Sequence, residues 1–166
     1  MCKDLFKKHE KAYKWIPSPN YSSRNGKKID MIVLHHTATY SELPVITWFQ
    51  DIHSDVSAHY IICKNGSVIN MVKEKNRAWH CRGYNSSSIG IECVSNNQPL
   101  TKEQNEALVG LIKELFDRYG LNAHDVQGHG YLPKTSTVCP SMLFGSKGIM
   151  SFIQWKKDNL PEPLDY

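Results

Sequence analysis

Apolar positions in this chain come in short, strand-sized blocks separated by two longer stretches with helical spacing. Met31-Ile32-Val33-Leu34 is too short and too branched to be a helix, so it predicts a buried strand over 30–36 that ends in His35-His36. The blocks 58–63 and 67–72 flank Lys64-Asn65-Gly66, and Asn-Gly between two β-rich runs predicts a hairpin. A further short strand is predicted over 88–94, with the single charge Glu92 inside it, and a strand-like piece over 125–127. Leu43, Val45, Ile46, Phe49 and Ile52 have helical spacing behind Ser41 as a cap, with Pro44 in the first turn, predicting a helix over 41–53. The clearest helix is predicted over 101–119. Thr101-Lys102-Glu103-Gln104 is a capping box, Leu108, Leu111, Ile112, Leu115, Phe116 and Tyr119 form one stripe, and Gly120 is the stop. Ile149, Phe152, Ile153 and Trp155 suggest a short closing helix, whereas 1–28 reads as a basic, helix-like start running into a loop marked by Pro17, Pro19 and Gly26. Strands interleaved with helices predict one α/β domain with a central mixed β-sheet flanked by helices. Within it, 1–28 is an N-terminal extension, 29–144 the core and 145–166 a closing helix and tail.

Composition changes this picture little. With 166 residues, 40% of them hydrophobic, the chain can bury one substantial core. A net charge of +4 suits an anionic polymer, but the basic residues are too scattered for nucleic acid to be the expected partner. No apolar run reaches the length of a membrane span, so no stable membrane insertion is expected. The start MCKDLFKKHEK lacks the apolar stretch of a signal peptide, which predicts synthesis in the cytoplasm. Cys2, Cys63, Cys81, Cys93 and Cys139 form no C-x-x-C pair and are odd in number, a poor disulfide framework. Cys63 and Cys93 lie in apolar runs and read as core thiols.

Chemistry enters with the histidines. An imidazole at the end of a buried strand either satisfies that strand end or serves as a metal ligand. Gly128-His129 and Thr137-Val138-Cys139-Pro140 shift the reading, because two histidines and a cysteine make a three-ligand zinc set with one position left open. His36 or His59 could instead complete a closed structural site. Glu92, in an otherwise apolar strand, must face a partner or a cleft unless its strand lies at an edge. Trp79, His80, Tyr84 and Asn85 form an aromatic-rich loop that either lines a groove or covers the core.

These segments resemble the zinc-dependent type 2 N-acetylmuramoyl-L-alanine amidases, a family with phage lysozyme-type, bacterial recycling and animal peptidoglycan-recognition branches. The resemblance covers roughly 17–144 and rests on VLHHTAT, SAHYIICKNGSVINMV, AWHCRGYNSSSIGIE and GHGYLPKTSTVCP, in that order. It implies a peptidoglycan amidase fold, one zinc ion on His35, His129 and Cys139, and His36 not a ligand. It also implies Glu92 as the proton-transfer group, since Ala58 stands where phage relatives carry a tyrosine. Thr137 holds a second auxiliary position two residues before the third ligand, with Lys134 as the alternative. Trp79, His80 and Asn85 are implied as contacts to the muramyl-peptide. The implied partner is peptidoglycan or a released muropeptide, bound by a monomer. The implied setting is lytic, endolysin-like action on the wall after release, with cytoplasmic recycling or non-catalytic recognition as alternatives.

Overall fold

The computed structural model describes residues 13–161, so the helix-like start expected before residue 13 lies outside the described residues. Two six-residue strands, β3 (Met31–His36) and β7 (Ser88–Cys93), run parallel side by side from Met31↔Ser88 to His36↔Cys93. Both have burial on both faces, and their near-continuous apolar sequences are what a parallel pair at the centre of a sheet requires. Around them lie β1 (Lys14–Trp15), β4 (Tyr60–Ile62), β5 (Val68–Asn70) and β8 (Val126–Gly128), in the order β1-β5-β4-β7-β3-β8. The β4–β5 pair is the antiparallel hairpin, and the other neighbours are parallel, so the sheet is mixed as expected. Gly66 closes the hairpin at φ +81°, and a Cβ there would sit 2.9 Å from the carbonyl oxygen of Glu103, so glycine is needed for both conformation and space.

One face of the sheet is covered by α2 (Lys102–Tyr119) and α3 (Ile149–Asn159). Leu108, Leu111, Ile112 and Leu115 of α2 are buried against Ile32, Leu34, Ile89 and Ile91. At about 1.5–3 kcal/mol per buried large apolar side chain, this stripe outweighs the roughly 1 kcal/mol that mid-helix Gly110 costs. The predicted capping box is present: Gln104 N–H donates to Thr101 Oγ1 and Thr101 N–H to Gln104 Oε1, each at 3.1 Å. Gln104 Nε2 also donates to the carbonyls of Ile62 and Val94, fixing the start of the helix over the ends of β4 and β7. Gly120 ends α2 in the left-handed region.

The other face is shared between α1 (Glu42–Gln50) and loops. α1 is shorter than the 41–53 pattern predicts: Val45 and Phe49 are buried, whereas Leu43 and Ile52 stay exposed. Ser41 occupies the cap position but makes no side-chain capping bond. Residues 14–15, expected in the helix-like start before Pro17, instead form β1, and residues 21–23, read from sequence as loop, form β2 (Tyr21–Ser23), paired antiparallel with β6 (Asn76–Ala78). These strands are two or three residues long and mostly exposed, so no apolar alternation announces them. Among the described residues no helix is long and apolar enough to cross a membrane.

Candidate metal centre

The parallel register builds the site. Directly paired residues on neighbouring strands project to the same face, and His35 of β3 pairs with Glu92 of β7. Alternation puts both on the face opposite Ile32, Leu34 and Ile91, away from α2. Leu34 pairs with Gly128 of β8, so His129 emerges one residue beyond, its ring 4.6 Å from that of His35. The chain then loops away and returns. Gly130 N–H donates to the Cys139 carbonyl, and a Cβ at Gly130 would lie 2.4 and 2.5 Å from the Thr137 and Cys139 oxygens. Only glycine allows the two passes so close, and that approach delivers Cys139.

One ligand atom each from His35, His129 and Cys139 lies within 4.8 Å of the others, the one such cluster of three among the described residues. Cys139 Sγ is 3.8 Å from His35 Nδ1. Tetrahedral zinc at ordinary bond lengths would place a nitrogen and a sulfur about 3.6 Å apart, so this edge is already close to bonded dimensions. The chemistry of the donors fits as well. Burial, then the neighbouring His129 and His36, hold the His35 pKa well below its usual value, and burial lowers His129. Both imidazoles are therefore neutral, as ligands must be. Burial and then the Glu92 charge push the Cys139 thiol up, opposed by the His36 N–H that donates to Sγ at 3.4 Å. A divalent cation reverses that balance and takes the thiolate.

His36, the next residue along the strand, pairs with Cys93 and projects from the other face. His59 cannot complete a closed site, because Nδ1 accepts from Gly90 N–H at 3.0 Å and Nε2 faces Asn76 O and the Arg24 guanidinium. The fourth position is thus left without a protein ligand among the described residues, the arrangement of open rather than structural sites.

Glu92 is the second unusual feature. Its Oε2 is buried and has no hydrogen-bond partner among the described residues, and burial pushes its pKa up to about 8. An uncompensated polar atom of this kind costs folding energy and marks a place where solvent or substrate completes the bonding. The two auxiliary candidates lie on the return loop. Thr137 is exposed, and its Oγ1 accepts from Cys139 N–H at 3.1 Å, which leaves its own hydrogen to donate elsewhere. Lys134 is exposed at φ +62°.

The polar groups of the aromatic loop are largely engaged within the protein. The Trp79 indole N–H donates to Ser22 Oγ, tying the loop to β2, and Asn85 Oδ1 accepts from the backbone N–H groups of His80 and Cys81. His80 lies behind the first histidine, its Nδ1 3.0 Å from His35 Nε2 and its Nε2 3.1 Å from Ser88 Oγ. Arg24 and Ser88 had no signal in the sequence. Arg24 is 6% exposed and donates to the carbonyls of Glu74, Asn85, Ser86 and Ser88, clamping the loop from beneath. A lone arginine in an irregular segment looks like surface. Cys63, Cys81, Cys93 and Cys139 are all free thiols.

Known proteins resemble this chain along the same stretch. The family model described as N-acetylmuramoyl-L-alanine amidase matches residues 25–142. N-acetylmuramoyl-L-alanine amidase A of Achromobacter lyticus is 41% identical over 81 residues, which is 47% of this chain and 45% of that relative, so the chain spans about half of its length. The 1,6-anhydro-N-acetylmuramyl-L-alanine amidase AmpD of Haemophilus influenzae is 26% identical over 167 residues, 84% of this chain and 91% of that one. Among solved structures, the endolysin amidase LysCS of Clostridium intestinale superposes with a TM-score of 0.67 at 22% identity, covering 90% of this chain and 96% of its own, a likeness of fold. The family match takes in the β3–β7 centre, β8 and the loop that returns Cys139, and the chain belongs to the N-acetylmuramoyl-L-alanine amidase family.

Proposed function

We propose that the protein hydrolyses the amide bond between N-acetylmuramic acid and L-alanine in peptidoglycan, using one zinc ion held by His35, His129 and Cys139. The observation that carries this reading is the partnerless Glu92 carboxyl in register with His35, beside a three-ligand cluster that leaves one position open. A recognition module would need neither the open position nor the buried acid. Bound there, zinc supplies Lewis acidity to the scissile carbonyl and acidity to a water in the open position.

The chain's own groups do the rest. Glu92, poised near neutral pH by burial, takes the proton of the attacking water and then delivers it to the departing amine of L-alanine. That transfer matters because an amide nitrogen leaves poorly unless it is protonated. Thr137, held against the backbone of Cys139, turns its free hydrogen toward the oxygen that gains charge. Burial keeps His35 and His129 neutral, so neither competes for the proton that Glu92 carries.

The proposed setting is lytic action on intact wall. Recycling of released fragments is the second reading. It is favoured by the match to a 1,6-anhydro-N-acetylmuramyl-L-alanine amidase over 84% of this chain. Purified sacculi and isolated anhydro-muropeptides digested in parallel, with products identified by mass spectrometry, test both. New N-terminal alanine and free lactyl ends from sacculi are expected. Release from muropeptides alone moves the protein to recycling. Binding without cleavage, or new reducing sugar ends, refutes the proposal.

A further inference from the structure

The proton on one imidazole decides whether the cluster can hold a metal at all. His35 Nδ1 faces Cys139 Sγ at 3.8 Å, so it can bind zinc only if the ring carries its hydrogen on Nε2. That Nε2 lies 3.0 Å from His80 Nδ1, His80 Nε2 lies 3.1 Å from Ser88 Oγ, and the Ser88 hydroxyl donates to the Tyr84 carbonyl at 2.8 Å.

The chain of bonds has a preferred direction. With hydrogen on both Nε2 atoms, His35 donates to His80, His80 to Ser88, and Ser88 to Tyr84, making three bonds. In the opposite sense His80 Nδ1 donates to His35 and Ser88 turns its one hydrogen toward His80, making two and placing a hydrogen on His35 Nδ1, inside the metal cluster. A carbonyl can only accept, so Tyr84 acts as the end-stop. One extra hydrogen bond is worth roughly 2- to 10-fold in the equilibrium between the two senses.

His80 is also held as a rigid part. Its ring lies flat against Gly90 of β7, where a Cβ would come within 2.4–2.7 Å of Cγ, Cδ2 and Nδ1. The rings of His35 and His59 meet it edge-on at 5.2 and 5.8 Å, and its backbone N–H is fixed by Asn85.

We propose that His80, oriented by Ser88, is a positioning residue that locks His35 in the tautomer able to bind zinc, and that it is not a contact to the muramyl-peptide. The inference rests on the zinc reading given above. Partners of this kind usually change metal affinity by roughly 10- to 100-fold when removed.

The test measures zinc affinity by chelator competition in the full chain, alongside steady-state hydrolysis, for His80→Phe, His80→Asn and Ser88→Ala. Phenylalanine keeps the ring shape without an acceptor. Asparagine keeps an acceptor near the place of Nδ1 without the ring. Circular dichroism checks that each variant folds. His80→Phe is expected to weaken zinc binding by roughly 10- to 100-fold, His80→Asn to recover most of that, and Ser88→Ala to lose roughly 2- to 10-fold. Long-range ¹H–¹⁵N spectra of the wild-type protein should show His35 carrying its hydrogen on Nε2. If phenylalanine binds zinc as tightly as histidine, or better than asparagine, His80 serves packing and the inference falls. If zinc affinity is unchanged in all three while KM rises, His80 contacts substrate and the inference falls. A wild-type protein that holds no zinc overturns the metal reading itself, and is told apart because no variant is needed to see it.

Discussion

Replacing Glu92 by glutamine should produce a protein that is more stable and almost inactive. The carboxyl is buried, its Oε2 has no partner, and its pKa stands at about 8 against an ordinary 4.5. A tenfold change in a protonation equilibrium is about 1.4 kcal/mol. For a carboxyl the folded state holds protonated longer than the unfolded one does, stability is lost as pH rises from 4.5 to 8. The loss is about 3 kcal/mol at pH 7 and approaches ~5 kcal/mol above pH 8 in the metal-free protein. Glutamine has nearly the same shape and no charge to desolvate, so Glu92→Gln should recover part of this. For a chain of this size about 2–4 °C of melting temperature is expected per kcal/mol, and the gap between variant and wild type should widen from pH 5 to pH 8. Turnover should fall by roughly 10²–10⁴-fold, the usual span for a general acid–base group, with zinc content unchanged. Melting curves at several pH values in the presence of chelator, together with muropeptide hydrolysis in the presence of zinc, make the comparison. If turnover falls less than about fivefold, another base is at work. If the variant melts lower at pH 8 than the wild type, Glu92 is a structural anchor and its missing partner has been misread.

Metal analysis of protein purified without chelator should find about one zinc per chain, lost in Cys139→Ala while the fold survives. Thr137→Val should lower turnover about 10-fold or more, since its hydroxyl is tied to Cys139 by a 3.1 Å bond, whereas the exposed Lys134→Met should mainly weaken substrate binding. The opposite result in steady-state assays would hand the oxyanion role to the lysine. Gly90→Ala should reduce both melting temperature and zinc affinity, because its methyl group would occupy the space of the His80 ring. A variant with unchanged zinc affinity would show that the ring can move without consequence.

The sequence made the central strands legible as short continuous apolar runs, the hairpin by Asn-Gly between two β-rich runs, and α2 by its apolar stripe between a capping box and Gly120. His35 at the end of a buried strand, His129 between two glycines and Cys139 before a proline were legible as a set because all three are donors of metal-binding type. Their convergence within 4.8 Å depends on the β3–β8 pairing and on the glycine crossing at Gly130, both long-range facts. The small strands at 14–15 and 21–23 left no trace, because two or three exposed residues can join a sheet edge through backbone bonds alone. Arg24 was invisible for a related reason: every partner that buries it is a carbonyl or a histidine at least 35 residues away. The sequence left open whether the loop holding Trp79, His80, Tyr84 and Asn85 lines a groove or covers the core. In the fold Trp79, His80 and Asn85 spend hydrogen bonds inward, because an irregular segment over a sheet has few backbone bonds of its own and must be held by side chains.

That inward bonding explains why the reactive groups gather at this end of the sheet. Strands supply precise placement, but between α2 and the sheet, where Ile32, Leu34 and Ile91 are fully buried, the polar Gln104 side chain is held at the strand ends by the Ile62 and Val94 carbonyls. On the opposite face, α1 covers only the part lined by Ala58, Ile61 and Met71. Beyond it, His35 and Glu92 can be polar only because loops cover them, and those loops must be rigid if the donors are to meet. Arg24 beneath, Asn85 within, and the Gly130 crossing at the far side supply that rigidity beside a small apolar cluster of Val33, Cys81 and Leu132. Among the described residues only Glu92 Oε2 and His36 Nδ1 are buried without a bond, and of the two only Glu92 shares the face of His35, where an unsatisfied carboxyl is free to bond a ligand.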